Sequence, residues 1–301
     1  MEPTYGKIAS AKIHRKPNLG KIGKKALIVL GLAVLCFIFL FPIVWMVDNS
    51  FKDGDTISAQ LGSIMTFLPP SFDISSWFVS YEKLFNSFDG FGRSILNSII
   101  YCGVTILGVL LINSFAGYAL ARFKFPGNKA MTTIILILMI VPIETSVVPT
   151  YIILYYLGLL EEPMSIIGYL LPGFGSLFYT YMFRQYFLGM PIEIEEAARI
   201  DGCSRIGVFF KMILPLSKPV FATVAIFTFM GQWNEYIFAQ LMFPNPAMQP
   251  LQVFLQLVNT NTPKDLGMIM ASLTFSTIPI ALVYIFAQKY IIEGVSFTGL
   301  K

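Results

Sequence analysis

The sequence predicts an all-α integral membrane protein with six transmembrane helices. Composition comes first: of 301 residues, 55% are hydrophobic and 13% charged, where soluble domains carry roughly 25% charge. Mean hydropathy is +0.70. Length comes second: six windows approach the ~20 apolar residues that cross ~30 Å of hydrocarbon. They are Ala26–Val47, Ser94–Gly117, Ala130–Thr150, Ile166–Phe187, Val220–Gln240 and Met268–Gln288. Pattern comes third: the windows are apolar throughout and do not alternate, so they read as helices and not barrel strands.

The elements follow in order. Residues 1–25 form a basic tail, with Lys7, Lys12, Arg15, Lys16, Lys21, Lys24 and Lys25 against Glu2. The first span, 26–47, is too long for a signal h-region, and no small-x-small cleavage site follows it. Residues 48–93 form the longest external piece and are acidic on balance. Within them Trp77, Tyr81, Leu84, Phe85 and Phe88 recur at helical spacing. That aromatic face suits either the membrane surface or the external ends of the spans. Residues 94–289 make a compact set of five spans. Pro42, Pro142, Pro149, Pro172 and Pro279 fall in or near the windows, and kinks there are ordinary because neighbouring helices satisfy the freed carbonyls. The 241–266 connection, rich in Pro and Asn, reads as external and partly extended. Residues 290–301 are a tail.

Loop charge gives the orientation. The loop with Arg122, Lys124 and Lys129 is basic, the loop with Glu161 and Glu162 has no base, and the 188–219 loop is mixed. This alternation puts both termini, and the 188–219 loop, in the cytoplasm. The net charge of +4 therefore reports topology and needs no nucleic-acid partner.

Little here can carry covalent chemistry. There is no G-x-x-x-x-G-K-[S/T] phosphate loop; Gly20–Lys25 and Gly173–Gly175 lack the spacing. His14 is the only histidine and sits in the basic tail. Cys36, Cys102 and Cys203 are single and widely spaced, so neither a disulfide nor a metal framework is expected. The expectation is a chain that is not an enzyme and binds no cofactor or metal.

The polar insert between the fourth and fifth spans is the most informative stretch. Pro191 suits the first turn of a helix. Glu193, Glu195 and Glu196 suit the positive end of its dipole, and Gly202 is placed to end it. Ile194, Ala197 and Ala198 make a small apolar patch, ringed by Glu196, Arg199 and Asp201. A small apolar centre with a charged rim has the makings of a protein interface, although an ordinary connecting helix has the same composition.

Glu196-Ala197-Ala198, then Gly202, then Met212-Ile213-Leu214-Pro215 resembles the EAA loop of ATP-binding-cassette importer permeases, EAA-x3-G-x9-I-x-LP, with Met212 where the pattern has Ile. Arg93 through Ser98, Gly117 through Phe123, Phe125-Pro126-Gly127, Pro191 through Asp201, Ala225 through Phe229 and Trp233-Asn234-Glu235 look like the carbohydrate-uptake, maltose-type six-helix branch. The resemblance runs from about Arg93 to Gln288. It implies a type I importer fold in a bacterial cytoplasmic membrane. It also implies a second permease subunit, two cytoplasmic ATPase subunits that hold the ATP and Mg, and an extracytoplasmic sugar-binding protein. The loop residues Glu195, Glu196, Ala197, Ala198, Arg199, Asp201, Gly202, Leu214 and Pro215 would then couple the chain to an ATPase.

Polar residues inside spans are costly and often face a cavity. Asn113, Glu144, Thr145, Gln232, Trp233, Asn234, Glu235 and Tyr236 are therefore candidates for a sugar pathway. Trp233 offers a ring for sugar C–H groups; Asn234 and Glu235 offer partners for hydroxyls. The same residues would serve as an interhelical hydrogen-bond cluster, and Trp233 as an interfacial anchor. Two other functions fit a polytopic chain. An ion-coupled secondary transporter would use Glu144 and Glu235 as relays, but no internal repeat is visible. A scaffold would neither bring an ATPase nor transport. The sequence leaves the sugar open.

Overall fold

The computed structural model describes residues 19–68, 74–87 and 90–298. Most of the basic tail with His14, the positions Asp73, Phe88 and Asp89, and the last three residues lie outside them. Among the described residues every regular element is helical. Three helices are long and apolar enough to cross a membrane unbroken, and three bent pairs bring the count to six.

Helix α1 (Leu19–Ser50) includes the first span. Its most apolar stretch has no buried residue, so that surface suits lipid. The chain continues through α2 (Gly54–Gln60), a turn at Ile64–Phe67 and α3 (Val79–Ser87). The aromatic face on α3 packs inward: Leu84 is fully buried, and Tyr81 and Phe85 meet Phe275 edge-on at 5.6 and 5.7 Å. Of the two readings of that face, packing on the bundle is the one realised.

Lys83 on α3 ties this lobe together, pairing with Asp53 and standing 3.6 Å from Asp265. The hydrogen bond from Lys83 holds the Asp53 carboxylate below its usual value, and the same bond raises Lys83. The Asp53 term is lost only as pH falls through its lowered pKa, below about 4. The Lys83 term is lost only as pH rises above about 10. Both side chains are well exposed, so the pair contributes under about 1 kcal/mol. The thermal-unfolding difference between the parent and Lys83→Met is expected to stay flat from about pH 5 to 9 and shrink in acid.

Helix α4 (Phe91–Arg122) is the central post. It packs against α7 (Met164–Phe174), α8 (Leu177–Leu188), α12 (Lys218–Trp233) and α14 (Leu251–Thr260). Gly117 lets α8 approach: a Cβ there would lie 2.6 Å from Cβ of Phe183 and 2.9 Å from the carbonyl of Thr180.

Three predicted spans are not single rods. The window Ala130–Thr150 splits into α5 (Asn128–Leu138) and α6 (Val147–Tyr156), bent by 97° at residues 139–142, just before the turn Ile143–Ser146 that leads into α6. Pro142 disfavours helix at the residue before it, whereas Pro149 falls in the first turn of α6, where it is tolerated. Helices α7 and α8 meet at 42° around Gly175 and Ser176. Helix α12 ends at Trp233, and after a break at 234–236 comes the short α13 (Ile237–Met242).

The Pro- and Asn-rich connection is also more regular than expected. Its middle is α14, which buries Leu251, Val253, Phe254, Leu255 and Val258. The preceding loop is strapped to α4 by Asn97, whose amide donates to the carbonyls of Ala247 (3.0 Å) and Gln249 (3.1 Å), and by Tyr101 Oη to Met248 O (3.0 Å). Helix α15 (Leu266–Thr298) closes the bundle and runs on through most of the expected tail.

Candidate functional site

Between α8 and α12 lies the polar insert. It folds as α9 (Glu193–Ile200), a turn, then α10 (Arg205–Val208), a π-helical stretch Phe209–Ile213 and α11 (Leu214–Leu216). Helix α9 ends in a Schellman motif: Cys203 N–H donates to Ala198 O at 3.0 Å and Gly202 N–H to Arg199 O at 3.1 Å. Gly202 sits at φ +83°, which costs other residues roughly 1–2 kcal/mol. Ser204 then caps α10, its Oγ accepting from Gly207 N–H at 3.1 Å. Pro215 cannot donate to the previous turn and clashes with it. The π stretch just before it and the 79° bend into α12 fit that strain.

One face of α9 is anchored. Glu195 and Ala198, three apart, are buried. Ala198 packs among Tyr118, Phe187, Val208, Phe209 and Ile213. Oε1 of Glu195 is 2.5 Å from Nε of Arg122, and neither atom has another partner. Tyr118 Oη donates to Oε2 of Glu195 at 2.9 Å, and Arg122 also donates to Met190 O at 2.9 Å. The guanidinium of Arg205 lies 5.1 Å over the Phe123 ring. The last turn of α4 is thus clamped to both α9 and α10.

The opposite face is free. Glu196, Ala197, Arg199, Ile200, Asp201 and Gly202 are exposed, as is Ile206 on α10. This corrects the apolar patch expected from sequence. At about 100° per residue, Ala197 and Ala198 point in different directions, so the outward apolar centre is Ala197 with Ile200. Glu195 and Ala198 belong to the anchor and not to the outward face. Leu214 is half-buried against the inner core, and Pro215 is exposed.

The candidate pathway residues scatter. Asn113 is buried and saturated: Nδ2 donates to Val109 O (2.7 Å) and Phe174 O (2.8 Å), and Oδ1 accepts from Ser176 N–H (2.8 Å) and Thr180 Oγ1 (2.9 Å). It pins the α7–α8 break to α4. Trp233 is 1% exposed and gives its indole N–H to Ser276 O at 3.1 Å; it is a core residue. Glu235 caps α13, accepting from the N–H groups of Phe238 (2.7 Å) and Ala239 (2.9 Å), and from Tyr169 Oη (3.1 Å). Glu144 and Thr145 are exposed at the α5–α6 corner, away from the 232–236 group in sequence and fold. Gln232 is half-buried and donates to Tyr169 Oη at 2.8 Å; Tyr236 is half-buried too. Asn234 alone of the group is exposed, beside Gly231, which has open space around it. Interhelical bonding, the plainer reading of these residues, accounts for Trp233, for most of Asn113 and for the Tyr169 bond of Glu235, whose other two bonds cap α13 locally.

Sequence reasoning missed Tyr118 and the pairing role of Arg122. Their i, i+4 spacing at the end of an apolar span is the available signal; the sequence offers Arg122 as a loop charge and both residues as part of the Gly117–Phe123 resemblance, without a partner for either.

Comparison with known proteins agrees with this architecture. Residues 113–296 match the family model "Binding-protein-dependent transport system inner membrane component". The chain is 30% identical to the arabinooligosaccharides transport system permease protein AraQ of Halalkalibacterium halodurans, over 91% of this chain and 96% of that one. It is 28% identical to the galactooligosaccharides transport system permease protein GanQ of Bacillus subtilis, over 90% and 93%. Among solved structures, a chain of a bacterial ABC transporter involved in the import of the acidic polysaccharide alginate superposes with TM-score 0.77 at 25% identity, covering 92% of this chain and 99% of that one. The chain belongs to the family of binding-protein-dependent transport system inner membrane components, and is a transmembrane permease of that family.

Proposed function

We propose that this chain forms half of the translocation pathway of an ATP-driven importer for sugars or oligosaccharides, and that α9 couples it to a cytoplasmic ATPase. The observation that carries the coupling is the two-sided helix: one face bolted to α4 through Glu195, Arg122 and Tyr118, the other open through Glu196, Ala197 and Ile200. A rod fixed on one side and free on the other transmits force. ATP binds to the partner ATPases with Mg, their closure pulls on α9, and the π stretch and Pro215 pass the movement to α12. The other partners are a second permease subunit and an extracytoplasmic sugar-binding protein, with both termini in the cytoplasm. The sugar reading rests on the relatives named for arabinooligosaccharides and galactooligosaccharides. Within this chain, exposed Asn234 just past the end of α12, whose Nδ2 donates to Met230 O at 2.7 Å, together with Gly231 in the last turn, is the surface best suited to a sugar hydroxyl, and the partner permease supplies the remaining contacts.

Gly202→Val is expected to cut transport at least several-fold while the complex still assembles. A Cβ at Gly202 meets nothing within 4 Å, so the damage is backbone strain at the exposed end of α9. Gly202→Asn, which tolerates the left-handed region, should retain more activity. Uptake of labelled oligosaccharide by a strain lacking only this chain, restored with each variant, reads both. Normal uptake with Gly202→Val would count against docking at α9. Uptake that follows a proton gradient and not ATP would favour the secondary-transporter alternative. A chain that purifies with no ATPase and restores no uptake would favour the scaffold.

A further inference from the structure

Helix α12 has 16 residues, ~24 Å of rod. Its inner end meets the polar insert at the 79° bend. Its outer end stops at Trp233, and residues 234–236 separate it from α13. Tyr169 of α7 stands beside that gap. Its Oη accepts from Nε2 of Gln232, in the last turn of α12, at 2.8 Å. The same Oη donates to Oε2 of Glu235, in the gap, at 3.1 Å. Through Gln232, then, α12 is hydrogen-bonded to α7.

The α7 side of this joint is fixed. Tyr169 is buried, its ring 5.4 Å from Tyr101, 4.9 Å from Phe243 and 5.9 Å from Phe238. Helix α13 belongs to the same side, since Ala239 and Met242 are buried in one cluster with Tyr169 and Leu170. Gly168 permits that approach: a Cβ there would come 2.9 Å from Cε of Met242. Asn113 pins the other end of α7 to α4 through Phe174 O. Because Tyr169 gives its proton to Glu235, the same oxygen offers a lone pair to Gln232.

The α12 side has room to move. Residues 234–236 are not helical, Asn234 is exposed, and a Cβ on Gly231 would meet nothing within 4 Å. Trp233 ties α12 to α15, so the two helices swing together with the gap as hinge. Parting Gln232 from Tyr169 strands no charge, because Glu235 keeps its bonds to Tyr169, Phe238 and Ala239. An amide–hydroxyl bond of this kind is worth about threefold to tenfold in an equilibrium.

We propose that the Gln232–Tyr169 bond is a latch on transport: it holds the outer end of α12 against α7 in this conformation and opens when the insert pulls α12. Tyr169 is the positioning residue that presents the acceptor, and Glu235 sets the direction of its hydroxyl. The inference rests on the reading of α12 as the helix that α9 drives. It adds where that movement is resisted and by which bond.

The test uses the assembled transporter in phospholipid nanodiscs, in a Cys36→Ala, Cys203→Ala background. Spin labels are placed on Phe227→Cys of α12 and Ile167→Cys of α7, both exposed, and the distance between them is recorded with and without ATP. Without ATP, Gln232→Leu and Tyr169→Phe are each expected to raise the population of a longer distance about threefold to tenfold. The two together should do no more than Tyr169→Phe alone, because they break the same bond. ATP is expected to bring up that longer distance in the parent. Tyr101→Phe removes another hydroxyl of the aromatic cluster, the one bonded to Met248 O, and is expected to leave the distances unchanged. A shift there equal to that of Tyr169→Phe would mean general loosening and overturn the latch. Parent-like distances in Gln232→Leu would overturn it too, whether or not Tyr169→Phe assembles and whatever ATP does to the parent. A longer distance in both variants, with a parent that ignores ATP, would uphold the latch and count against the ATPase reading.

Discussion

Glu195→Ala is expected to destabilise the assembled transporter by about 3–5 kcal/mol and to abolish uptake. Both carboxylate oxygens are engaged, one by Arg122 and one by Tyr118, and both side chains of the ion pair are about nine-tenths buried. Removing one partner strands a charge where water cannot reach it. Tyr118→Phe removes one hydrogen bond to a charged group and should cost less, about 1.5–3 kcal/mol. The double variant Glu195→Met with Arg122→Met removes both charges and should recover much of the stability, because well-packed apolar pairs replace buried ion pairs at little cost. Thermal unfolding of the parent, Glu195→Met, Arg122→Met and the double variant gives the coupling energy. If stability returns in the double variant and uptake does not, the pair serves force transmission as well as folding.

Asn113→Ala is expected to cost about 2–4 kcal/mol and to slow transport. Interhelical hydrogen bonds in membranes average only ~0.6 kcal/mol each, but two of the partners here are the backbone groups Phe174 O and Ser176 N–H at the α7–α8 break. Each stranded group adds about 1–3 kcal/mol. The break would loosen at its tether to the central post, so the loss should appear in unfolding midpoint and uptake together. Unchanged stability would mean that the break is held by packing alone.

The unbroken long spans of this molecule were legible in the sequence, because crossing hydrocarbon demands about 20 consecutive apolar residues. Ser94–Gly117 and Met268–Gln288 are accordingly found inside single helices. Hydropathy carries no direction, so the 97° corner between α5 and α6 was hidden inside one apolar window, although Pro142 and Pro149 mark it. Helix α14 was hidden for the converse reason: Pro and Asn at both ends masked the apolar core from Leu251 to Val258. Helix α9 was legible from its dipole charges and Gly202. Which of its faces looks outward was not, because the Glu195–Arg122 pair joins residues 73 apart. Trp233 and Asn113 show the limit of reading polar residues in spans as pathway. In both cases polar atoms are engaged by groups distant in sequence, Ser276 O for Trp233 and Phe174 O, Ser176 N–H and Thr180 Oγ1 for Asn113, which no local pattern displays.

The outward face of α9 is tested most directly at Ala197. With Ala197→Cys in a Cys36→Ala, Cys203→Ala background, a membrane-impermeant maleimide should not label intact cells. It should label inside-out vesicles stripped of the ATPase, and lose that labelling when the ATPase is added back. Labelling from outside intact cells, or labelling indifferent to the ATPase, would contradict a cytoplasmic docking helix.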